Sequence, residues 1–406
     1  MRITDVKATI LRYEYENGIA DAQNFFSARN AVLVCIESDE GLVGFGESAC
    51  FGGPAQTTKF IIEQELKPII IGEDPSRIER VWQKMFDRTR QHGRSGVILA
   101  AMSGIDVALW DMQGKRCQMP SYKLLGGYSD AVVPYASSGF YSKGKDTKAI
   151  ADECEAYFKE GFRYAKIKIG RNPEVFMNPL SNMQFGEECN YSLEEDMERV
   201  QACCNIANKY NAKIMVDANN NWNTYTAIQA GKKLQDMGVF WLEEPLHVDN
   251  IEGSVQLAKA LDMPVAGYES EIGFFRFREL IERGAVDIVQ PDVIWSGGIT
   301  ECKRIAALAM ANHLPCNPHA FSTAVSLMAN LHFLASLPNA GILEMDQNVY
   351  PLRDDLLIDG VKIGTDGLVH IPDDPGFGMK FNWETFRKYA VDQQDTEAFI
   401  ELAGGE

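Results

Sequence analysis

The chain has 406 residues, of which 46% are hydrophobic and 24% charged, so it can bury a large core and is neither disordered nor fibrous. It carries 57 acidic and 39 basic residues, for a formal net charge of -18. A surface this acidic repels nucleic-acid backbones and anionic bilayers, which argues against both as partners. An anionic substrate would therefore need local cationic groups or a metal ion.

The cysteines and the first residues indicate a cellular compartment. The nine cysteines include no CxxC pair, which is typical of a reducing environment. The N-terminal sequence lacks the apolar stretch of a signal peptide, and no apolar run approaches the ~20 residues that span a bilayer. We expect a cytoplasmic protein without a membrane segment.

Residues 1–128 mix strand and helix patterns and predict an α+β module. Alternating apolar residues predict antiparallel strands over 3–15 and 30–48, with a turn at the sequence Asp-Glu-Gly. Apolar residues at helical spacing then predict helices over 54–73, 75–90 and 97–117. The tail 351–406 is rich in Pro, Gly and Asp, and we expect it to pack back on this module.

Residues 129–350 repeat short β-branched runs followed by amphipathic helices, which predicts a parallel α/β barrel. The expected strands are 131–137, 163–170, 212–219, 239–245, 263–270, 285–292, 314–320 and 340–346. Seven helical segments lie between them, so the eighth helix of a (β/α)8 barrel is missing. Residues 171–190 form an irregular insertion between the second strand and its helix.

Carboxylates recur at the ends of the third, fourth and fifth barrel strands. Asp217, Glu243 and Glu269 are spaced 26 residues apart, about one barrel unit of ~25 residues, so their side chains converge on one face. Three converging carboxylates repel one another unless a cation neutralises them. Oxygen ligands without Cys or His favour Mg²⁺, with Mn²⁺ as the other choice.

Proton-transfer groups end the neighbouring strands. Lys166 and Lys168 end the second strand, and we expect one to point into the barrel and the other to reach the site around the rim. Asp292 and His319 end the sixth and seventh strands, where a carboxylate beside an imidazole favours general acid/base catalysis. His313 and His332 lie in helical segments and are expected to be core residues.

The sequence resembles the enolase superfamily in its mandelate racemase-like subgroup. The resemblance covers nearly the whole chain and is carried by motifs in a fixed order: KIKIG at 166–170, VDAN at 216–219, LEEP at 242–245, AGYES at 266–270, QPD and GG within 290–298, PHA at 318–320 and LE at 343–344. It implies an α/β fold in which a modified TIM barrel, (β/α)7β, follows an N-terminal α+β capping domain completed by the C-terminal tail.

The resemblance also implies roles for individual residues. Asp217, Glu243 and Glu269 would bind one Mg²⁺, with Glu243 rather than Glu244 in the ligand position. The implied acid/base groups are Lys168, with Lys166 as its neighbour, and the Asp292–His319 dyad; Glu344 would contact the substrate carboxylate, protonated or sharing a proton, and Asn219 would lie beside the metal. Lys166 and the metal would lower the pKa of Lys168 by charge repulsion. The additional acid Glu271 has no implied role.

The reaction that we expect is dehydration of a sugar acid to a 2-keto-3-deoxy acid. Cap segments 14–30 and 50–58 should close over the site, and Gln23, Asn24 and Arg29 would bind substrate hydroxyls or a second carboxylate. Either His319 or Lys168 could take the α-proton.

Three alternatives remain at this stage. The first is a racemase, epimerase or cycloisomerase that uses the same residues. The second is a metal-binding barrel without catalysis, and the third is a metal-dependent aldolase or hydrolase. We also expect a homo-oligomer, because the barrel face is exposed and the insertion is long.

Overall fold

The computed structural model describes residues 1–50, 53–172 and 190–405, so most of the expected insertion at 171–190 lies outside the described residues. The strands are β1 (Ile3–Ala20), β2 (Phe25–Ser38), β3 (Val43–Ser48), β4 (Ala131–Val132), β5 (Pro134–Ser138), β6 (Tyr164–Lys168), β7 (Lys213–Asp217), β8 (Leu242–Glu243), β9 (Val265–Gly267), β10 (Ile288–Val289), β11 (Leu343–Asp346) and β12 (Val369–His370).

The helices follow the expected alternation in the barrel. They are α1 (Ala55–Phe60), α2 (Lys67–Ile70), α3 (Ile78–Thr89), α4 (Val97–Arg116), α5 (Ser121–Leu124), α6 (Thr147–Glu160), α7 (Leu193–Lys209), α8 (Thr224–Asp236), α9 (Ile251–Ala260), α10 (Phe274–Glu282), α11 (Gly298–Ala311), α12 (Ala324–Ala335), α13 (Pro351–Asp354), α14 (Trp383–Lys388) and α15 (Gln393–Leu402). A π-helical turn, Ile61–Leu66, joins α1 to α2. None of the described helices has the length and apolar character that a bilayer crossing requires.

The N-terminal strands form an antiparallel sheet in the order β1-β2-β3, and α4 crosses this sheet. The crossing is close because a Cβ atom at Gly44 would stand 2.0 Å from the carbonyl oxygen of Ala108, and one at Gly46 would stand 2.1 Å from that of Gly104. Strands β1 and β2 are longer than the sequence predicted. Their pairing continues to Ala20 and Phe25, so the expected cap segment 14–30 is mostly a hairpin.

The barrel has eight strand positions, as the sequence predicted. Strands run in the parallel order β10-β9-β8-β7-β6-β5-β11, and single-residue bridges from Val289 to Cys316 and from Cys316 to Ala340 close the ring. The seventh barrel strand is reduced to Cys316, because Pro315 and Pro318 on either side lack the backbone N–H that a longer hydrogen-bond ladder needs. Helices α6 to α12 lie between successive barrel strands in the chain, so this is the expected (β/α)7β barrel.

The interior of the barrel is apolar below its carboxyl end. A buried cluster fills it, made of Tyr135, Met215, Trp241, Ala266 and Ile288. Residues that alternate with these along the strands face outward and pack against the helices, as Ile214 and Val216 do in the main core. The polar residues at the carboxyl end of the barrel therefore pack on an apolar cluster inside the barrel.

The C-terminal tail returns to the N-terminal sheet. The backbone N–H of Arg12 donates to the carbonyl of Tyr389 at 2.8 Å, and the hydroxyls of Thr9 and Thr396 lie 2.9 Å apart. Asp111 of α4 joins the same parts, because its carboxylate accepts the backbone N–H of Phe45 in β3 and of Phe377 in the tail, both at 2.9 Å. One buried side chain thus links sheet, helix and tail.

We expect Asp111→Ala to lower the free energy of unfolding by about 3 kcal/mol, because it leaves two buried backbone N–H groups without acceptors. Chemical denaturation monitored by circular dichroism measures the change. The matched control is Asp87→Ala at an exposed position of α3, expected to change stability by less than about 0.5 kcal/mol. Equal effects of the two substitutions would contradict the linking role of Asp111.

Candidate active site

The three carboxylates that the sequence singled out meet at the carboxyl end of the barrel. Asp217 ends β7, Glu243 ends β8, and Glu269 follows β9 by two residues. One oxygen from each lies within 4.8 Å of the oxygens of the other two. Glu244, the next residue after Glu243, turns away and accepts hydrogen bonds from the backbone N–H and the hydroxyl of Ser270, at 2.9 and 2.7 Å.

These carboxylates can hold a divalent cation. Oε2 of Glu269 is buried and makes no hydrogen bond within the described residues, and all three side chains offer hard oxygen ligands. Burial, together with the charges of Asp217, Glu344 and Glu269, raises the pKa of Glu243 to about 8. An oxygen-only donor set in a cluster of like charges fits Mg²⁺ or Mn²⁺.

Both lysines of β6 point into the barrel, contrary to the expectation that only one does so. Lys166 and Lys168 are two residues apart, so they share a face of the strand, and both are buried. The ammonium group of Lys166 contacts Glu243 and lies 2.9 Å from Oε1 of Glu344, whereas that of Lys168 contacts Asp217. Neither lysine reaches the site around the rim.

The charges around Lys168 act in opposite directions on its pKa. Burial has the largest effect and lowers this pKa, as does the charge of Lys166, but the carboxylates of Asp217, Glu269 and Glu243 together outweigh both, and the net pKa is raised above its usual value. The expected lowering by Lys166 is therefore present and is outweighed. Neutralisation of Asp217 by a cation would remove the main opposing charge.

His319 stands on the other side of the carboxylates. Its Nδ1 lies 2.8 Å from Oδ2 of Asp292, and its Nε2 lies 3.2 Å from Oε2 of Glu269 without hydrogen-bond geometry. The backbone N–H of Ile294 donates to Oδ1 of Asp292 at 3.0 Å, which fixes the carboxylate. Burial lowers the pKa of His319, but the nearby carboxylates of Glu269, Glu344 and Asp292 raise it to about 10.

Glu344 is buried and lies in an ion pair. Lys166 lies 2.9 Å from Oε1, and the backbone N–H of Ala320 donates to Oε2 at 3.0 Å. Burial raises the pKa of Glu344, but the charges of Lys166 and His319 outweigh it, and the net pKa is lowered. The expectation that Glu344 is protonated or shares a proton when metal and substrate are bound stays a prediction.

Asn219 connects two of the carboxylates. Its backbone N–H donates to Oδ1 of Asp217 at 2.9 Å, and its Nδ2 donates to Oε1 of Glu269 at 3.3 Å. Its own Oδ1 is buried without a hydrogen-bond partner in the described residues. Asn219 thus lies beside the carboxylates, with one acceptor free.

A cavity of about 570 Å³ extends from Lys168, Glu269 and His319 to the N-terminal sheet. The expected substrate residues Gln23, Asn24 and Arg29 all line it, as do Phe140, Trp295 and Phe321. Residues Phe51 and Gly52 of the other expected cap segment lie outside the described residues.

The turn of the β1–β2 hairpin is held over the barrel mouth. Ala20 and Tyr141 exchange two backbone hydrogen bonds of 2.8 Å, which attach the hairpin to the barrel. Oδ1 of Asp21 accepts the backbone N–H groups of Gln23 and Asn24, at 2.8 and 2.6 Å, and so shapes the turn. The hairpin therefore presents Gln23 and Asn24 to the cavity.

Sequence reasoning missed several supporting residues and misassigned one. The side chains of Trp241 and Gln290 both donate to Oε2 of Glu243, at 3.1 and 2.9 Å. Trp241 lies two residues before Glu243, so the alternation of strand side chains already placed both on one face. His332 is a core residue as expected, but His313 is exposed at the end of α11.

Glu271, to which the sequence assigned no role, lies outside the carboxylate cluster. Its Oε1 accepts the backbone N–H of Ile272 at 3.0 Å, and its Oε2 lies 3.3 Å from the guanidinium of Arg276. It belongs to none of the contacts among Asp217, Glu243 and Glu269. We therefore interpret it as a structural residue at the start of α10.

Comparison with known proteins identifies the family. The family described as "Enolase C-terminal domain-like" matches residues 149–385, and "Mandelate racemase / muconate lactonizing enzyme, N-terminal domain" matches residues 15–126. The chain belongs to the enolase superfamily, with the capping domain of the mandelate racemase and muconate lactonizing enzymes.

Curated relatives and a solved structure match along almost the whole chain. Arabinonate dehydratase of Saccharolobus solfataricus is 36% identical over 95% of this chain and 99% of its own. D-galactarolactone cycloisomerase of Agrobacterium fabrum is 32% identical over 96% of this chain and 99% of its own. L-talarate/galactarate dehydratase of Salmonella typhimurium, liganded with Mg and L-lyxarohydroxamate, is 29% identical with a TM-score of 0.83 over 96% of this chain and 93% of its own.

We expect Asp217→Asn to weaken Mg²⁺ binding by ~100-fold or more, because it removes one of the three carboxylates. Isothermal titration calorimetry of the purified protein with Mg²⁺ gives the affinity. The matched control is Glu271→Gln, which leaves the three carboxylates intact and should leave the affinity unchanged. A large loss in Glu271→Gln, or none in Asp217→Asn, would contradict this assignment of the metal site.

Proposed function

We propose that the protein is a Mg²⁺-dependent sugar-acid dehydratase, a hydro-lyase that forms a 2-keto-3-deoxy acid. The observation that carries the proposal is the placement of Lys168 and of the Asp292–His319 dyad against different members of one carboxylate cluster. Lys168 contacts Asp217 and His319 faces Glu269, so acid/base groups flank the cluster from two sides. Dehydratase relatives that match almost the whole chain support the same reaction.

The metal site would orient the substrate. Asp217, Glu243 and Glu269 would hold Mg²⁺, and the bound ion would stabilise the negative charge that builds on the substrate carboxylate when the α-proton leaves. Lys166 would keep Glu243 and Glu344 in place through its ion pairs, and Glu344 would contact the substrate carboxylate. Asn219, with its free acceptor, would bind a substrate hydroxyl.

The residues would then move two protons. Lys168 or His319 takes the proton from the α-carbon, and the electrons of that C–H bond form an enediolate. The bond between the β-carbon and its hydroxyl breaks, and His319 donates the proton with which the hydroxyl leaves as water. Asp292 holds the imidazole in one orientation through its 2.8 Å contact with Nδ1. The resulting enol converts to the 2-keto acid.

The remaining expectations complete the proposal. The binding partner is a small anionic sugar acid. The net charge of -18 disfavours binding to nucleic acid or membranes. The absence of CxxC pairs favours a cytoplasmic location. We also propose a homo-oligomer. The division into residues 1–128, 129–350 and 351–406 is our proposal for the domain limits.

We expect Lys168→Ala and His319→Ala each to lower kcat by ~10²–10⁴-fold, because each removes a proton-transfer group. Mono- and diacid sugars are screened with Mg²⁺, and 2-keto products are detected with semicarbazide. Controls are Lys213→Ala at the opposite, exposed end of β7 and His313→Ala at the surface, both expected to retain activity. Turnover that survives loss of both Lys168 and His319 would rule out the proposed mechanism.

The second candidate is a racemase, epimerase or cycloisomerase, favoured by the cycloisomerase among the relatives. Incubation with Mg²⁺ in deuterium oxide distinguishes it, because exchange of the α-proton without a 2-keto product would favour this reading. Neither exchange nor product, with Mg²⁺ bound, would favour the metal-binding barrel without catalysis.

A further inference from the structure

The end of the cavity that faces the cap carries no uncompensated positive charge. The cap residues that line it are Asp21, Gln23, Asn24, Phe25, Phe26, Ala28, Arg29, Asn30, Cys50 and Gly53. Arg29 is the one basic side chain among these described residues. Amide and aromatic groups make up most of the rest, and they suit hydroxyls and carbon–hydrogen faces rather than a charged group.

The charge of Arg29 is already neutralised. Its Nη1 lies 2.6 Å from Oδ2 of Asp346, and both side chains are buried, with 6% and 2% of their surfaces exposed. The guanidinium is also stacked between the rings of Phe321 and Tyr350, each centroid 3.8 Å from Cζ. A second substrate carboxylate here would be a buried charge without a free counter-ion, which is costly.

Arg29 nevertheless retains a free donor. Its Nη2 is buried and has no hydrogen-bond partner in the described residues. A neutral hydroxyl beside the ion-paired guanidinium adds no charge, so the environment of Arg29 favours a hydroxyl over a carboxylate.

Other basic groups do not supply the missing cation. Arg171 is buried near the hairpin but is not among the lining residues, and its Nη1 donates to the backbone carbonyls of Asp21 and Asn24, at 3.1 and 3.4 Å. Arg353 is 3.8 Å from Asp346 and is paired with Asp354. Segments 51–52 and 173–189, outside the described residues, contain no Lys, Arg or His in their sequence.

We propose that the substrate is a sugar monoacid and that the cap end of the cavity selects against sugar diacids. The single carboxylate lies at the metal site, and the hydroxyl-terminated chain extends toward Gln23, Asn24 and the ion-paired Arg29. This inference rests on the proposed function and adds to it the class of sugar acid.

Matched acid pairs that differ only in oxidation of the terminal carbon test this specificity. Gluconate with glucarate and galactonate with galactarate are two such pairs. With Mg²⁺, we expect the kcat/KM of the best-used monoacid to exceed that of its diacid by at least ~10-fold, the effect of one unfavourable charge contact. A diacid used as well as or better than its monoacid in that pair would overturn the inference.

Substitutions that leave a positive charge free near the cap end of the cavity should shift the preference toward diacids. Gln23 lines the cavity and is half-buried, so Gln23→Lys should raise the diacid-to-monoacid ratio of kcat/KM by ~10-fold. Ser27→Lys is the control, since Ser27 is exposed on the same hairpin and outside the cavity lining. Asp346→Asn, which uncovers the charge of Arg29, should shift the ratio in the same direction. An unchanged ratio in both Gln23→Lys and Asp346→Asn would contradict the inference.

Binding separates this inference from the reaction itself. If no acid is dehydrated, the proposed function fails, and calorimetric titration of the Mg²⁺-loaded protein with the same pairs still compares the two classes. Tighter binding of monoacids would support the inference even then. Tighter binding of diacids would overturn it, and binding of neither class would overturn both proposals.

Discussion

The structure depends on a balance of buried charges at the mouth of the barrel. Asp217, Glu243 and Glu269 converge there although like charges repel, and burial makes each charge more costly. Lys166 and Lys168 offset part of that cost from the neighbouring strand. The balance is incomplete without a further cation, because three basic groups, Lys166, Lys168 and His319, face five carboxylates, those of Asp217, Glu243, Glu269, Asp292 and Glu344.

The apolar surroundings give this balance its catalytic value. The barrel interior below the site is filled by aromatic and aliphatic side chains, and the β1–β2 hairpin closes over the top. Next to such low-polarity surroundings, fixed charges and hydrogen bonds act more strongly on a developing carbanion than they do in water. In the proposed function, the side chains on the hairpin would contact the substrate far from the reacting carbon, so reaction and specificity would belong to different parts of the chain.

Much of this arrangement could be predicted because a barrel repeats. A spacing of 26 residues placed three carboxylates at equivalent strand ends, and the sheet then brought those ends to one face. Prediction was wrong where local rules were misapplied or overridden: Lys166 and Lys168 share a face because they are two residues apart. The seventh strand shortened to one bridge at Cys316, because two flanking prolines interrupt its ladder.

Sequence by itself determined the order of elements, the oxygen-ligand chemistry of the carboxylate cluster and the candidate acid/base groups at the strand ends, because these follow from periodicity and residue type. Only the tertiary structure decided which charges neutralise which. The ion pair between Arg29 and Asp346 joins β2 of the N-terminal sheet to β11, the last strand of the barrel, which lies far away in the chain. Such pairs form only when the cap folds over the barrel, so local sequence patterns carry no signal for them, and it is these contacts that set the charge of the substrate cavity.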